Sequence, residues 1–269
     1  MSGGNLVVLG AGNMAEALVS RVLDAGLLDA DGIVVTDVRP ERIEHFRARF
    51  GVRAGSDNAA AVASAAIVVL AVKPQNMADL LAGLAGRVPE CALVVSIAAG
   101  VRTRRIEDGL GGEARVARVM PNTPALLGCG ASAYCLGRRA TEADAAAVER
   151  LFGAVGRVVR QSESLMDAVT AVSGSGPAYV FYLAEMMERA AVEMGIEPAI
   201  ARLLTAATIE GAGRMLAQPG ADPSELRARV ASKGGTTEAA FRVLERAGVA
   251  EAFTDAVKAA RARAAELSG

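Results

Sequence analysis

Two kinds of corner in this sequence hold residues that could do chemistry. The first is "VVLGAGNMAEAL", where Gly10, Gly12 and Ala15 stand as G-x-G-x-x-A. The spacing suits a dinucleotide. Gly10 makes a tight turn, Gly12 lets the backbone approach a pyrophosphate, and Ala15 permits close helix–strand packing. Ala11, Asn13 and Met14 complete the turn at a helix N-terminus that faces the phosphates. Asp37 ends the next β-branched run, where a carboxylate accepts from a ribose 2′-hydroxyl and favours NADH. Arg39, two residues on, would instead meet the 2′-phosphate of NADPH. In "AVKPQN", Ala71 and Val72 lead to Lys73, which can reach a ribose or phosphate, and to Pro74, which starts a helix. Small residues in "SIAAGV", Ala98 among them, and in "MPNTPALLG" leave room for a nicotinamide. Asn122 either bonds the nicotinamide carboxamide or caps its own loop.

The second kind of corner is rich in hydroxyls. "AVSGSGPAYVF" places Ser173 and Ser175 on either side of Gly174, with Pro177 suited to the first turn of a helix. "VASKGGTT" (Val230–Thr237) has two glycines where a turn needs one, followed by two threonines that could bind a ligand.

These corners need elements to hold them. From Asn5 to about Arg160, apolar runs alternate with helix-length segments: Leu6–Leu9, Ile33–Thr36, Ile67–Val72, Leu93–Ile97 and Arg115–Met120. Near-continuous apolar strands between helices predict a mostly parallel, doubly wound sheet covered on both faces. Ala131–Leu136 and Arg157–Arg160 would extend it at one edge, around a helix near Glu142–Phe152. After Gln161 the strands stop. Helices are expected over Ala178–Met194, Pro198–Ala217, Ser224–Val230, Thr236–Ala247 and Glu251–Leu267. The first has so narrow a polar stripe that a helical region of this length cannot cover it, which predicts a second copy.

A net charge of −1 gives no nucleic-acid footprint and no basic membrane face. The apolar runs are too short to cross a bilayer. Cys91, Cys129 and Cys135 show neither CxxC spacing nor an even number, which suits reduced thiols. The opening residues lack a basic region followed by a long apolar stretch, so no signal peptide and a cytoplasmic location are expected. The one histidine, His45, lies in "ERIEHFRARF" and reads as a solvated helix residue. A Ser-His triad and a multi-histidine zinc site are thereby excluded, and no metal is expected.

"GAGNMA", "AVKPQN", "VSIAAGV", "MPNTPA", "VSGSGPAYVF" and "SKGGTTEAA" occur in the order and spacing of pyrroline-5-carboxylate reductase, which the chain resembles over essentially its whole length. The resemblance implies an α/β Rossmann domain over residues 1–162 and an all-α substrate-binding and dimerisation domain over 163–269. It implies NADPH or NADH as cofactor and a cyclic imino acid as substrate, reduced in the last step of proline biosynthesis. The helical domain would form a homodimer, with higher oligomers built from dimers. By position Asn58 matches the residue bonding the adenosine ribose, and Ser175, Ser232, Gly234, Gly235, Thr236 and Thr237 match the substrate-binding residues. Two positions depart from the family: Lys233 stands where proline is usual, and Asp37 where a small polar residue is common.

For such a substrate the Gly-Gly corner has a physical role. Backbone N–H groups at a turn opening a helix form an anion nest that can hold a carboxylate. Thr237, one step into the helix, can then place its hydroxyl at the ring nitrogen. A protonated imine is already electrophilic, so positioning supplies much of the rate and no catalytic histidine is required. The alternatives are a β-hydroxyacid-type dehydrogenase and a non-catalytic dinucleotide-binding regulator. The first would need a catalytic lysine, and of Lys73, Lys233 and Lys258 only Lys233 is near a plausible site.

Overall fold

The computed structural model describes residues 5–268. Eight short runs form β1 (Asn5–Leu9), β2 (Ile33–Thr36), β3 (Arg53–Gly55), β4 (Ala65–Leu70), β5 (Leu93–Ser96), β6 (Arg115–Met120), β7 (Gly130–Leu136) and β8 (Gly156–Arg160). They make one sheet in the order β3-β2-β1-β4-β5-β6-β7-β8. Neighbours are parallel except β6 and β7. Only a 3₁₀ turn over Thr123–Leu127 and the left-handed Gly128 precede β7, and so short a link cannot make a parallel crossover.

The intervening helices are α1 (Asn13–Asp24), α2 (Pro40–Phe50), α3 (Asn58–Val62), α4 (Met77–Leu84), α5 (Thr103–Gly109) and α6 (Glu142–Gly153). Alternation along each strand sends side chains to both faces. Leu6, Val8, Val35 and Val69 pack with Leu18 of α1, Phe46 of α2 and Leu151 of α6. Val7, Leu9, Val68 and Val94 pack with Val62 of α3, Leu81 of α4 and Ile106 of α5. Both faces are buried, as the apolar runs predict. The expected strands over Ile67–Val72 and Leu93–Ile97 end earlier, at Leu70 and Ser96, which leaves Ala71, Val72 and Ile97 to the loops.

After β8 come α7 (Met166–Val169), a π-helical turn over Thr170–Gly174, and then α8 (Gly176–Glu193), α9 (Pro198–Leu216), α10 (Pro223–Val230), α11 (Thr236–Arg246) and α12 (Val249–Ser268). The chain divides into two compact units. The first runs to Ser175 and takes back the residues from Ala260 on; the second is Gly176–Ala259. The division falls beyond residues 162 and 163 because α7 stays with the sheet: Met166 is buried against Ala133 and Cys135 of β7.

In the second unit no residue of α8 is buried, and α9 buries only Ala201 and Thr205. Phe181 and Tyr182 are 62% exposed and Leu203 is 65% exposed. Within the unit Tyr179 of α8 meets Phe253 of α12 edge-to-face at 5.6 Å. Apolar exposure on this scale marks an interaction surface. Among the described residues no helix is long and apolar enough to cross a membrane.

Candidate active site

The strand order reverses between β1 and β4, and ligands of doubly wound sheets bind outside the carboxyl ends at such a switch point. Gly10 ends β1 there with φ +104°, and a Cβ on it would lie 2.7 Å from the carbonyl oxygen of Ala71. Only glycine fits both the φ and the approach. Gly12 differs. A Cβ on it would meet no protein atom within 4 Å, so internal packing does not call for glycine. An open flank beside the N-terminus of α1, with Ala15 fully buried beneath, suits close approach of a pyrophosphate to Gly12, Asn13 and Met14. The residues present therefore fit a dinucleotide.

The end of β2 gathers the groups expected at the adenosine ribose. Asp37 has a side chain only 8% exposed. Its Oδ2 accepts from the Ala11 N–H at 2.8 Å and from Arg39 Nη2 at 3.2 Å. Its Oδ1 accepts from the Arg39 N–H at 2.9 Å and from Arg39 Nε at 3.0 Å. Burial works to raise the pKa of this carboxyl, but the bonds from Arg39 and Ala11 outweigh it and hold the pKa below its ordinary value. Asp37 and Arg39, rivals for the cofactor in the sequence, are thus partners. Asn58, at the start of α3, accepts from the Thr36 hydroxyl at 2.6 Å, which fixes its carboxamide with Nδ2 as the donor end.

Sequence reasoning missed Arg42. Its Nε donates to the Ala11 carbonyl at 2.7 Å and its Nη2 to Glu16 at 2.7 Å, so α2 clamps the glycine turn. No local pattern signals a contact spanning 31 residues. His45 also differs from expectation. Its Nε2 lies 3.0 Å from Glu16 and its ring meets Phe46 and Phe50 edge-on, so it is a half-buried, partnered side chain and not a solvated one.

Ala71, Val72, Lys73 and Pro74 form the loop after β4, with Lys73 exposed. Ala98, after β5, is buried, and its N–H donates to the Ser96 hydroxyl at 3.3 Å. Asn122 spends its carboxamide inside the fold. Its Oδ1 accepts from the Ala131 N–H at 2.9 Å and its Nδ2 donates to the Ser173 carbonyl at 3.2 Å. These bonds tie the loop to β7 and to the π-helical turn, and Asn122 makes no side-chain cap for the 3₁₀ turn that follows it. Ser175 closes the π turn by donating its N–H to the Thr170 carbonyl at 2.8 Å. Such turns are rare and cluster at functional sites.

The second unit holds the Gly-Gly corner. Gly235 N–H donates to the Ser232 carbonyl at 2.9 Å, making Lys233 and Gly234 the central pair of a turn. Gly234 has φ +73°, which suits glycine at the third position. Gly235 then caps α11, and a Cβ there would lie 2.6 Å from Ser232 Oγ. The Gly234 N–H donates to the carboxylate of Glu238, on the first turn of α11. Thr237 is half-buried and Thr236 exposed.

A family model described as pyrroline-5-carboxylate reductase dimerisation matches residues 163–267, and one described as NADP oxidoreductase, coenzyme F420-dependent, matches residues 5–100. The chain is 41% identical to a pyrroline-5-carboxylate reductase of Methanosarcina acetivorans, over 96% of each chain. It is 40% identical to that of Corynebacterium melassecola, over 97% of this chain and 98% of the other. A solved pyrroline-5-carboxylate reductase from Coxiella burnetii superposes with a TM-score of 0.92 at 36% identity over the whole of both chains. One from Plasmodium falciparum, with NADP bound, superposes at 0.90 with 26% identity, again over both whole chains.

Proposed function

The chain belongs to the pyrroline-5-carboxylate reductase family, and we propose from that premise how its own residues carry the reaction. It reduces Δ1-pyrroline-5-carboxylate to L-proline with NAD(P)H. When bound, the cofactor would supply a hydride for the imine carbon, which a proton on the ring nitrogen makes electrophilic. Gly10 to Met14 receive the pyrophosphate, Asn58 donates to the adenosine ribose, and the loops at Ala71–Pro74 and Ala98 line the nicotinamide end.

The observation that carries the substrate reading is the Gly234 N–H, which already donates to a carboxylate. The substrate carboxylate takes the same corner, Gly234 to Thr236 with Ser232 beside it, while Glu238 yields its place. Ser175 is assigned to the substrate from the family match alone. Thr237, next along α11, orients the ring nitrogen through its hydroxyl. As hydride reaches the carbon a lone pair develops on the nitrogen, and a Thr237 hydroxyl that donates to it contributes more in the transition state than in the ground state.

The protein works as a homodimer joined through the helical unit, supported by the exposed faces of α8 and α9. Larger assemblies of such dimers are compatible with it. Three free cysteines support a cytoplasmic setting. Asp37 tilts the preference to NADH, since its carboxylate can accept from a 2′-hydroxyl and occupies the Arg39 guanidinium that would otherwise meet a 2′-phosphate. Steady-state oxidation of NADH and of NADPH in the presence of the cyclic imine tests the whole reading. If neither is oxidised, the assignment fails.

A further inference from the structure

Arg118 projects from β6 with its side chain only 2% exposed, and no step of the reduction uses it. A buried guanidinium needs partners, and it has two carboxylates. Nη1 lies 3.8 Å from Glu163 Oε1, and Nη2 lies 3.4 Å from Asp167 Oδ1. Each carboxylate holds something else. Glu163 Oε1 accepts from the Thr103 N–H at 2.7 Å, and its Oε2 accepts from the Thr103 hydroxyl at 2.8 Å. Asp167 Oδ1 accepts from the Ser268 hydroxyl, in the last turn of α12, at 2.8 Å.

What lies between these anchors is the loop that follows β5. At its start the Ile97 N–H donates to the Leu70 carbonyl at 3.1 Å. At its end Thr103 is tied to Glu163. In the middle Gly100 has φ +73°, and a Cβ on it would come within 3.0 Å of the Leu267 carbonyl oxygen. The loop is thus closed in by the last turn of α12 at its centre and by Glu163 at its exit, with Arg118 joining the two supports from within the sheet.

We propose that Arg118, through Glu163 and Asp167, is a positioning residue for the Ile97–Arg102 loop that carries Ala98 at the nicotinamide end of the cofactor, and that the last turn of α12 completes the clamp. The proposal rests on the cofactor reading of that loop. Its chemistry is geometric only: Arg118 touches no reacting atom. It separates what the loop does from what the substrate corner does, because loosening the clamp changes how the cofactor is held and leaves the carboxylate nest of α11 as it was.

The test uses the whole chain, four disrupting variants and one rescue variant, Thr103→Ser. Thr103→Val and Ser268→Ala each remove one hydroxyl; Glu163→Gln and Arg118→Met cut deeper. The chain has no tryptophan, so cofactor affinity is read from the fluorescence of NADH itself. Amide exchange over residues 97–103 is measured without cofactor. We expect faster exchange over that segment in all folded variants. We also expect a rise in the Kd and KM for cofactor of about 2- to 30-fold, with the KM for the imine unchanged and with Thr103→Ser restoring both. Unchanged exchange and unchanged cofactor Kd in folded Thr103→Val and Ser268→Ala would overturn the proposal, even if Arg118→Met fails to fold. A loss in imine KM alone would overturn it too. If the unmodified protein bound neither NADH nor NADPH, the cofactor reading would fall, while the exchange data would still report on the clamp.

Discussion

Replacing Asp37 with serine should move the cofactor preference toward NADPH, and the structure sets how far each cofactor moves. A carboxylate has about four acceptor positions, and four donors already fill them: the N–H groups of Ala11 and Arg39, and two nitrogens of the Arg39 guanidinium. A ribose 2′-hydroxyl must therefore displace a donor rather than add a bond, and the exposed guanidinium is the one that can leave. The exchange contributes only about 0.5–1.5 kcal/mol, typical of a net hydrogen bond. NADH should accordingly lose about two- to twelvefold in kcat/KM in Asp37→Ser. NADPH should gain, since the repelling charge is gone and Arg39 is released to meet the phosphate. The ratio of the two values, from steady-state kinetics at fixed ionic strength, is the quantity to measure. The variant should also lose about 1–3 kcal/mol of stability, because the Ala11 N–H loses its acceptor in a buried turn. That cost depends on pH with a definite sign. The folded pKa of Asp37 is depressed, so its contribution is present above the unfolded value of 3.8 and is lost as pH falls through the folded one. The gap in thermal stability between the two proteins should be full at pH 7 and narrow in acid, where the protonated carboxyl keeps only its neutral hydrogen bonds. An unchanged cofactor ratio would show that Asp37 only shapes the turn.

Thr237→Val keeps the side-chain shape without the hydroxyl, and kcat/KM for the imine should fall about ten- to a hundred-and-fifty-fold, partly in kcat, with cofactor affinity intact. Thr236→Val should cost less, and the reverse order would show that the wrong threonine has been chosen. Lys233→Pro should raise the urea midpoint, by about 0.4–1 kcal/mol of stability, with activity retained, since proline suits the second position of the turn that Gly234 completes. A drop in stability would mean that the Lys233 backbone is not in a proline-compatible conformation. Sedimentation should show a dimer burying well over about 1,600 Å²; a stable, active monomer at nanomolar concentration would remove the argument from α8.

The sheet was legible because its strands announce themselves as β-branched runs between helices. β3 was not, since "RAG" carries no apolar pair and forms only as an edge beside β2. The glycine turn was legible in its spacing, and the reasons for Gly10 and Gly12 separate in the structure: one glycine avoids the Ala71 backbone, the other stands beside open space. Asp37 and Arg39 could be named from the sequence but not joined, because composition says nothing about which charges face one another. The contacts of Arg42 with Ala11, and of Arg118 with Asp167, link residues far apart along the chain. Such partners depend on how helices pack on the sheet, and no local periodicity encodes that. The π turn at Thr170–Gly174 escaped for a related reason: its glycine and serines read as a loop, and the wider helical turn appears only in the hydrogen bond between Ser175 and Thr170.

A helix of eighteen residues with none buried carries a thermodynamic consequence of its own. If a second copy covers α8, as proposed, much of the free energy that orders it comes from association, and concentration becomes a variable of folding. The melting temperature of the helical unit should rise with protein concentration, as for any obligate dimer whose stability is inseparable from its mass action. Newly made chains would pass through an interval, before they find a mate, in which Phe181, Tyr182 and Leu183 face water. During that interval the side chains proposed to hold two copies together would be free to stick to anything apolar, and the yield of active protein would be set by a race between correct pairing and aggregation.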